Sequence, residues 1–589
     1  MKTKEAIRKD IIHYVNLTWD DFNVNNLNPF VRLMIEVVSQ ELYLLDHRIE
    51  DIKYSVLERL IKILSPSGFH FIRPSHAVIK LDPTCPVYHL DKNTLFVLKE
   101  LPARIKKKEV TSVSYTPVTD TSIYDIHISH LLFDKTLWHM DVKGKKKIIG
   151  TANRRSKYNT LWLGLEIGSG VENLAGVPIY FDFPHLPDHH IYYALLSEQI
   201  WEAGGKILHV EPGYPVPSGT SLCNTETEVL DLYKNHFLTI SDDLPLFELR
   251  QRLPQELYHI LDAEIAESVP PLYWIAVTFP QNMDHEDVAK VSVSFNAFPV
   301  MNREFNKSTV EQKDTTYTTS LSSGIAEEFL DIDLISDSQG NTYRSVAELS
   351  HPGDYTVDAV QRKNVEDPRI IDYLERLLDI IHDERTAFPG INKDKIAKVF
   401  NSVSAIQERD TQKININHLL EYAEVGLVNL IPHKEASEVD ITYWTTHADL
   451  LNDIARGTEL MASKIPELNK SAAVFLTDTA GGRNFYGRDS LVAINRFYMT
   501  SKGRILSKND ILNYCRIELG NSIEQIDVKR KAVVSIRRHE GIIIIMEIQI
   551  KPSAGMSEQI NQKGELQELL VRLRRRSPDN FDYRIKIIE

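Results

Sequence analysis

Apolar side chains recur three and four residues apart from Pro29 to Leu64, and this is the sharpest periodicity in the chain. Read as heptads, position a holds Ile35, Leu42, Ile49, Val56 and Ile63, while position d holds Val31, Val38, Leu45, Ile52 and Arg59. Nine of those ten positions are apolar, the pattern of a helix that buries a narrow seam against other helices. Asn28 is placed to cap it, Pro29 suits its first turn, and Ser65-Pro66 ends it. The flanking Ser39, Glu41, Asp46, Arg48, Lys53 and Ser55 are polar or charged. At 1.5 Å per residue the predicted helix is about 54 Å long, more than one small domain covers. Its apolar surface widens at Leu33, Met34 and Val37 and again at Leu57, Leu60, Ile61 and Leu64. Periodicity shows burial without showing what does the burying, so the chain's own domains and foreign helices both fit.

From about Ala77 to Asp337 the period shifts toward two, in runs such as AVIKL at Ala77, TLWLGLEI at Thr160, VPIYFDF at Val177, LYWIAVTF at Leu272 and VSVSFNAF at Val291. Short β-branched and aromatic runs between turn residues predict sandwich-like or barrel-like units. Asp367-Pro368 opens a further helix with Ile370, Leu374, Leu377, Leu378 and Ile381 on one face, stopped by Pro389-Gly390. The last hundred residues read as a strand around Leu491 to Thr500 and a helix capped by Ser507 with Asp510. Strands at Ile523 to Val528 and Val533 to Ile550, a helix over about Glu565 to Arg575, and a strand at Asp582 to Ile588 complete the series. That βαββαβ order predicts a ferredoxin-like sheet covered by two helices on one face.

The expected fold is therefore a multidomain α+β protein. A long N-terminal bundle helix lies in 1–75, a β-rich sandwich-like middle of two units in 76–355, a helical and loop connecting region in 356–457, and a ferredoxin-like α+β domain in 458–589. A chain of 589 residues needs several such cores.

Composition changes the picture mainly by exclusion. A net charge of −14 argues against a general nucleic-acid binder. The longer apolar runs, Ile542 to Met546 among them, are too short to cross a bilayer, and the opening residues carry no signal-peptide core, so a cytoplasmic protein without membrane insertion is expected. Cys85, Cys223 and Cys515 lie far apart and imply no disulfide framework; Cys515 shares an apolar face with Ile511, Leu512 and Leu519 and is expected in a core. Between Arg104 and Tyr158, twelve Lys and Arg face five Asp and Glu, which fits solvated turns or a basic docking patch.

Catalytic signatures are missing: the chain holds no GxxxxGK[ST], HExxH, CxxC pair or GxSxG. Gly168, Gly170 and Gly176 read as a turn rather than a dinucleotide loop. His127, His130 and His139 are the nearest approach to a metal set, but strand alternation places His127 and His130 on opposite faces. No catalytic residue, metal or cofactor is assigned, and the chain is expected not to be an enzyme.

The stretch NPFVRLMIEVVSQELYLLDHRIEDIKYSVLERLIKILSP resembles the N-terminal helix of the TssF family of type VI secretion baseplate wedge proteins. Pro29, Val31, Glu36, Ile49, Asp51, Leu60, Leu64 and Pro66 fall in ungapped register, followed by Arg73, Pro74, Ser75 and Ala77. Asn296, Phe298, Pro299, Val300 and Asn302, and the run FLDIDLISD from Phe329, are similar to further family segments, although an Asn-x-x-Pro turn is explained by backbone demands alone. The resemblance implies a structural subunit assembled at the inner face of the cytoplasmic membrane. Its implied partners are TssG, a second TssF copy, TssK and neighbouring sheath and spike components. Val31, Ile35, Val38, Leu42, Leu45, Ile49, Ile52 and Val56 would then bind partner helices. Arg572, Arg574, Arg575 and Arg576 would meet acidic surface of other wedge components, where charge alone reads them as a solvated helix end. ILSKNDILNYCRIELG is also similar to segments of phage wedge proteins, so a phage or related contractile particle is one rival reading; a β-rich multidomain hydrolase is the other.

Overall fold

The computed structural model of the chain describes residues 4–18, 30–31, 33–46, 72–359 and 426–588, apart from short stretches inside the last two ranges, of which 554–564 is the longest. The helix expected from Asp367-Pro368 lies outside the described residues.

Six short strands close into a barrel in the order His76–Lys80, Ala297–Met301, Ser114–Pro117, Phe96–Leu98, Glu459–Ala462, Ala473–Phe475. Its interior is aromatic: Phe96 packs on Phe298 with ring centroids 5.8 Å apart, and Tyr115 meets Phe475 edge-on at 5.2 Å. Beside it stands a sandwich whose larger sheet carries Thr160–Ile167 and Leu272–Thr278 at its centre, and whose smaller sheet centres on Pro178–Asp182. Leu163, Leu165, Ile275 and Val277 face Ile179 and Phe181 across the sandwich core. On the opposite face, Trp162, Trp274 and Ala276 are buried under Leu253, Leu257 and Leu261. Burial on both faces explains why TLWLGLEI and LYWIAVTF are almost continuously apolar instead of alternating. Gly164 is opposite Trp274 in register, and a Cβ there would come 3.0 Å from the indole, so the large ring fits because that residue lacks a side chain.

A second, smaller pair of sheets follows. Glu304–Glu311, Glu438–Thr446 and Glu328–Asp337 form a three-stranded sheet with the Glu438–Thr446 strand at its centre, and Tyr317–Leu321, Gly426–Leu430 and Asp354–Ala359 belong to a four-stranded one. They share a core containing Phe329, Ile335, Val428, Ile441 and Tyr443.

Two expectations are corrected. Gly426–Leu430 and Glu438–Thr446 are strands inside the β region, not parts of a helical connecting region over 356–457, and Glu459–Ala462 and Ala473–Phe475 complete the barrel rather than open the C-terminal domain. Gly426–Leu430, Glu459–Ala462 and Ala473–Phe475 are too short to show a period of their own. Among the described residues the C-terminal sheet has three strands, Ile523–Val534, Ile542–Pro552 and Asp582–Ile587, where a ferredoxin-like unit would have four. The stretch read as its first strand is helical at 494 and 497–501. Ile494 and Phe497, three residues apart, are both buried in the C-terminal core, a helical spacing that a short apolar run disguises. The Lys508–Leu519 helix begins with a capping box in which Ser507 and Asp510 satisfy one another's backbone N–H groups. Cys515 is fully buried on that helix, where burial pushes its thiol pKa up and makes it a small hydrophobe.

Candidate assembly interface

The N-terminal helix is described through residue 46, and it packs beside the Lys4–Thr18 helix. Lys4 and Arg8 both reach Glu36, at 3.7 and 3.5 Å, surface pairs that orient the two helices more than they stabilise them. Ser39 is buried. Of the eight predicted seam residues, Val31 and Ile35 are half-buried, whereas Val38, Leu42 and Leu45 are 44%, 43% and 47% exposed; Ile49, Ile52 and Val56 lie outside the described residues. Still more open are Phe30 at 66% and Leu33 at 61%, with Met34, Val37 and Leu44 also exposed.

At about 100° per residue these side chains fall within one half of the helix circumference, opposite Ser39. Glu41 is the one charged residue inside that half. The exposed apolar surface is thus a broad band, wider than the a/d seam that heptad counting drew. Contiguous apolar surface of this kind marks interaction sites in water-soluble chains.

Just before the first barrel strand, the Arg73 backbone pairs with that of Arg483 through bonds of 2.9 and 3.0 Å. The two arginines therefore leave the barrel from opposite ends of its sequence at one point. The Arg73 guanidinium donates two 2.9 Å hydrogen bonds to the two oxygens of Glu518, and Arg483 adds a third at 3.0 Å. Arg572 donates to Glu228 at 2.6 Å, to Glu568 at 2.9 Å and to Glu518 at 3.4 Å. Glu228 lies on the Asn224–Tyr233 helix, Glu518 on Lys508–Leu519, and Glu568 and Arg572 on Glu565–Arg576.

Burial alone would push the Glu518 carboxyl up, but the Arg73, Arg572 and Arg483 charges outweigh it and hold it well below the usual range. The same contest lowers Glu228 through Arg73 and Arg572. Burial pushes the pKa of His76 down, and its Nδ1 lies 3.0 Å from the Tyr233 hydroxyl. Three arginines thus face three glutamates beside a neutral imidazole. The set joins the barrel, the Asn224–Tyr233 helix and the C-terminal domain through charge-assisted hydrogen bonds.

Arg572 is therefore neither solvated nor free for another component, because its acidic surface is supplied by this chain. Arg576 lies 5.3 Å from the Tyr514 ring centre, and Arg575 donates to the Asn224 carbonyl at 3.2 Å. Sequence reading missed Arg73, Arg483, Glu228 and Glu518 as a set. Its available signal was the i, i+4 pair Glu568 and Arg572 on one helix. In the basic segment, Lys146 is drawn in over Trp138 and donates to the Val291 carbonyl at 3.3 Å. His130 pairs across strands with His139, while His127 lies by Asp125 and Asp82. Among the described residues no three His, Cys, Asp or Glu side chains converge as metal ligands do.

Two of the family-like asparagines have local structural work. Asn296 adopts a positive φ of 56° and is buried, accepting from the Tyr124 N–H at 2.9 Å and donating to the Tyr124 carbonyl at 2.7 Å. Asn302 donates to the Ser114 carbonyl at 2.7 Å and accepts from Thr446 and the His447 N–H. Next to it, buried Arg303 bonds Glu226 at 2.7 Å and stacks 4.2 Å from the Trp444 ring centre.

No family model matches the chain, and no curated protein matches it. Two solved structures align along nearly its whole length. One is a chain of the type VI secretion system TssK-TssF-TssG baseplate subcomplex, 10% identical with a TM-score of 0.41, covering 95% of this chain and 96% of that one. The other belongs to the baseplate complex from the type VI secretion system, 9% identical with a TM-score of 0.38, covering 99% of this chain and 96% of that one. Likeness at these scores carries no function across. Among the described residues no helix is long and apolar enough to cross a membrane.

Proposed function

We propose that the chain is a structural wedge subunit of a type VI secretion baseplate, a TssF-like protein that assembles with TssG and a second copy of itself to seat sheath and spike. Its role in this reading is mechanical rather than catalytic. The observation that carries it is the exposed apolar half of the helix over 30–46, which lies inside the same ungapped stretch that resembles the family. Covering that band with partner helices removes a large apolar surface from water at about 25 cal/mol per Å². Obligate assemblies of this kind bury on the order of 2,000 to 5,000 Å² per interface.

Co-expression with the neighbouring open reading frames, followed by mass measurement of the purified complex, tests it. Val38→Glu with Leu42→Glu and Leu45→Glu is expected to abolish co-purification while the melting of the β domains stays unchanged. A triple variant that still purifies with its partners at the wild-type ratio would sink the reading.

A further inference from the structure

The two helices of the C-terminal domain are shorter than the sheet they cover. Lys508–Leu519 and Glu565–Arg576 have 12 residues each, and so does the Ile523–Val534 strand. A helix of that size spans about 18 Å, whereas the strand runs about 40 Å. The helices bury Ile526, Val528, Ile548 and Ile550, and Lys508, at the start of its helix, already reaches Asp527 at 2.8 Å. Past that level the same face of the sheet continues uncovered: Val534 is 77% exposed, its register partner Ile542 74%, and Ile544, opposite Ala532, is exposed as well. The third strand gives no cover there, because its pairing begins at Ile545 with Asp582. Ile523–Val534 is also an edge strand, so among the described residues 529–534 pair with the Ile542–Pro552 strand alone.

Charge around this open edge is positive. Leu491 to Glu589 hold eighteen Lys and Arg against twelve Asp and Glu, in a chain whose net charge is −14. Lys529, Arg530 and Lys531 are consecutive on the edge strand and all exposed. Lys531 reaches Glu547 at 2.6 Å and Lys529 lies 3.7 Å from Asp527, but each ammonium has three donors and can take a further carboxylate. We propose that the edge over 529–534 takes up one β-strand of a partner protein in which acidic residues alternate with apolar ones. Lys529 and Lys531 fall on one face of the strand and Ala532 and Val534 on the other. A strand laid along them sets its carboxylates against the lysines, while its apolar side chains extend the strip over Val534, Ile542 and Ile544. A second copy fits less well, since pairing two such edges gathers the cations of both chains on one ribbon. This edge is separate from the N-terminal helix, so the two interfaces stand or fall apart.

Fluorescence anisotropy of a labelled peptide of about eight residues, alternating Glu and Val, titrated with the full chain reads the contact. Saturable binding that weakens as salt rises is expected. Methylating the amide nitrogens along one edge of the peptide should abolish binding and methylating those along the other should not, because a strand added to a sheet pairs through one edge only. Val534→Ser with Ile542→Ser should weaken binding about tenfold, and Lys529→Gln with Lys531→Gln about fivefold. Equal binding of the two methylated peptides, equal binding of a Lys and Val peptide, or no saturable binding up to about 1 mM overturns the proposal. Self-association lost in Val534→Ser with Ile542→Ser, without peptide binding, overturns it in favour of a second copy. If a variant fails to fold, the two methylated peptides decide on the wild-type chain alone.

Discussion

Arg73 and Glu518, 445 positions apart in sequence, meet through two parallel 2.9 Å hydrogen bonds. That fork ties the first barrel strand to the C-terminal domain, and several expectations follow from how it and its neighbours are built.

Glu518→Gln keeps the shape of the joint but leaves Arg73, Arg483 and Arg572 with one carboxylate fewer. Breaking a buried ion set from one side typically costs about 3–5 kcal/mol. Denaturant unfolding should show a loss of that size, with hydrogen exchange rising first in the Lys508–Leu519 helix. A loss under about 1 kcal/mol would mean that water already reaches the joint.

The same joint should be acid-labile. Glu228 and Glu518 are held below the ordinary carboxylate range, so their stabilisation is present above that range and fades as pH falls through their lowered values. Limited proteolysis at decreasing pH should release the C-terminal domain below about pH 4.5. Release should start at a higher pH in Arg483→Met, which removes one of the charges holding Glu518 down.

Arg303→Met removes the partner of buried Glu226 and the cation over Trp444. The stranded carboxylate should be destabilising by about 3 kcal/mol or more. Adding Glu226→Gln should recover most of the loss, and a double-mutant cycle on unfolding free energies measures how much.

Asn296→Ala is expected to be worse than Asn296→Gly. Both lose the two bonds to the Tyr124 backbone, about 1–3 kcal/mol, but alanine must also hold a positive φ that glycine adopts freely. Thermal melts of the two variants should therefore rank wild type, Gly, Ala in falling order.

The purified chain alone should self-associate at micromolar concentration through the apolar half of its N-terminal helix. Leu33→Glu with Val37→Glu should shift it to monomer in analytical ultracentrifugation with a stability change under about 0.5 kcal/mol.

The parts legible in sequence were those with local causes. The Ser507 and Asp510 cap, the helical periodicity over 33–46 and the buried thiol of Cys515 depend on neighbours within a few residues. Heptad counting found that helix but drew its open surface too narrowly, because Leu33, Met34 and Val37 fall between seam positions. The barrel and the Arg73–Glu518 joint were not legible, since their partners lie hundreds of residues apart and no period links them. The strand read at Leu491 to Thr500 failed for the converse reason: Ile494 and Phe497 are too few to separate a helical spacing from a β run.

Barrel closure sets a schedule for making the protein. Ala473–Phe475 pairs both with His76–Lys80 and with Glu459–Ala462, so a ribosome must complete some four-fifths of the 589 residues before the first β element of the chain gains its last neighbour. Until then the His76–Lys80 edge stands open, a template for wrong pairing during synthesis. A chain interrupted before residue 473 would leave that edge of His76–Lys80 without its second neighbour.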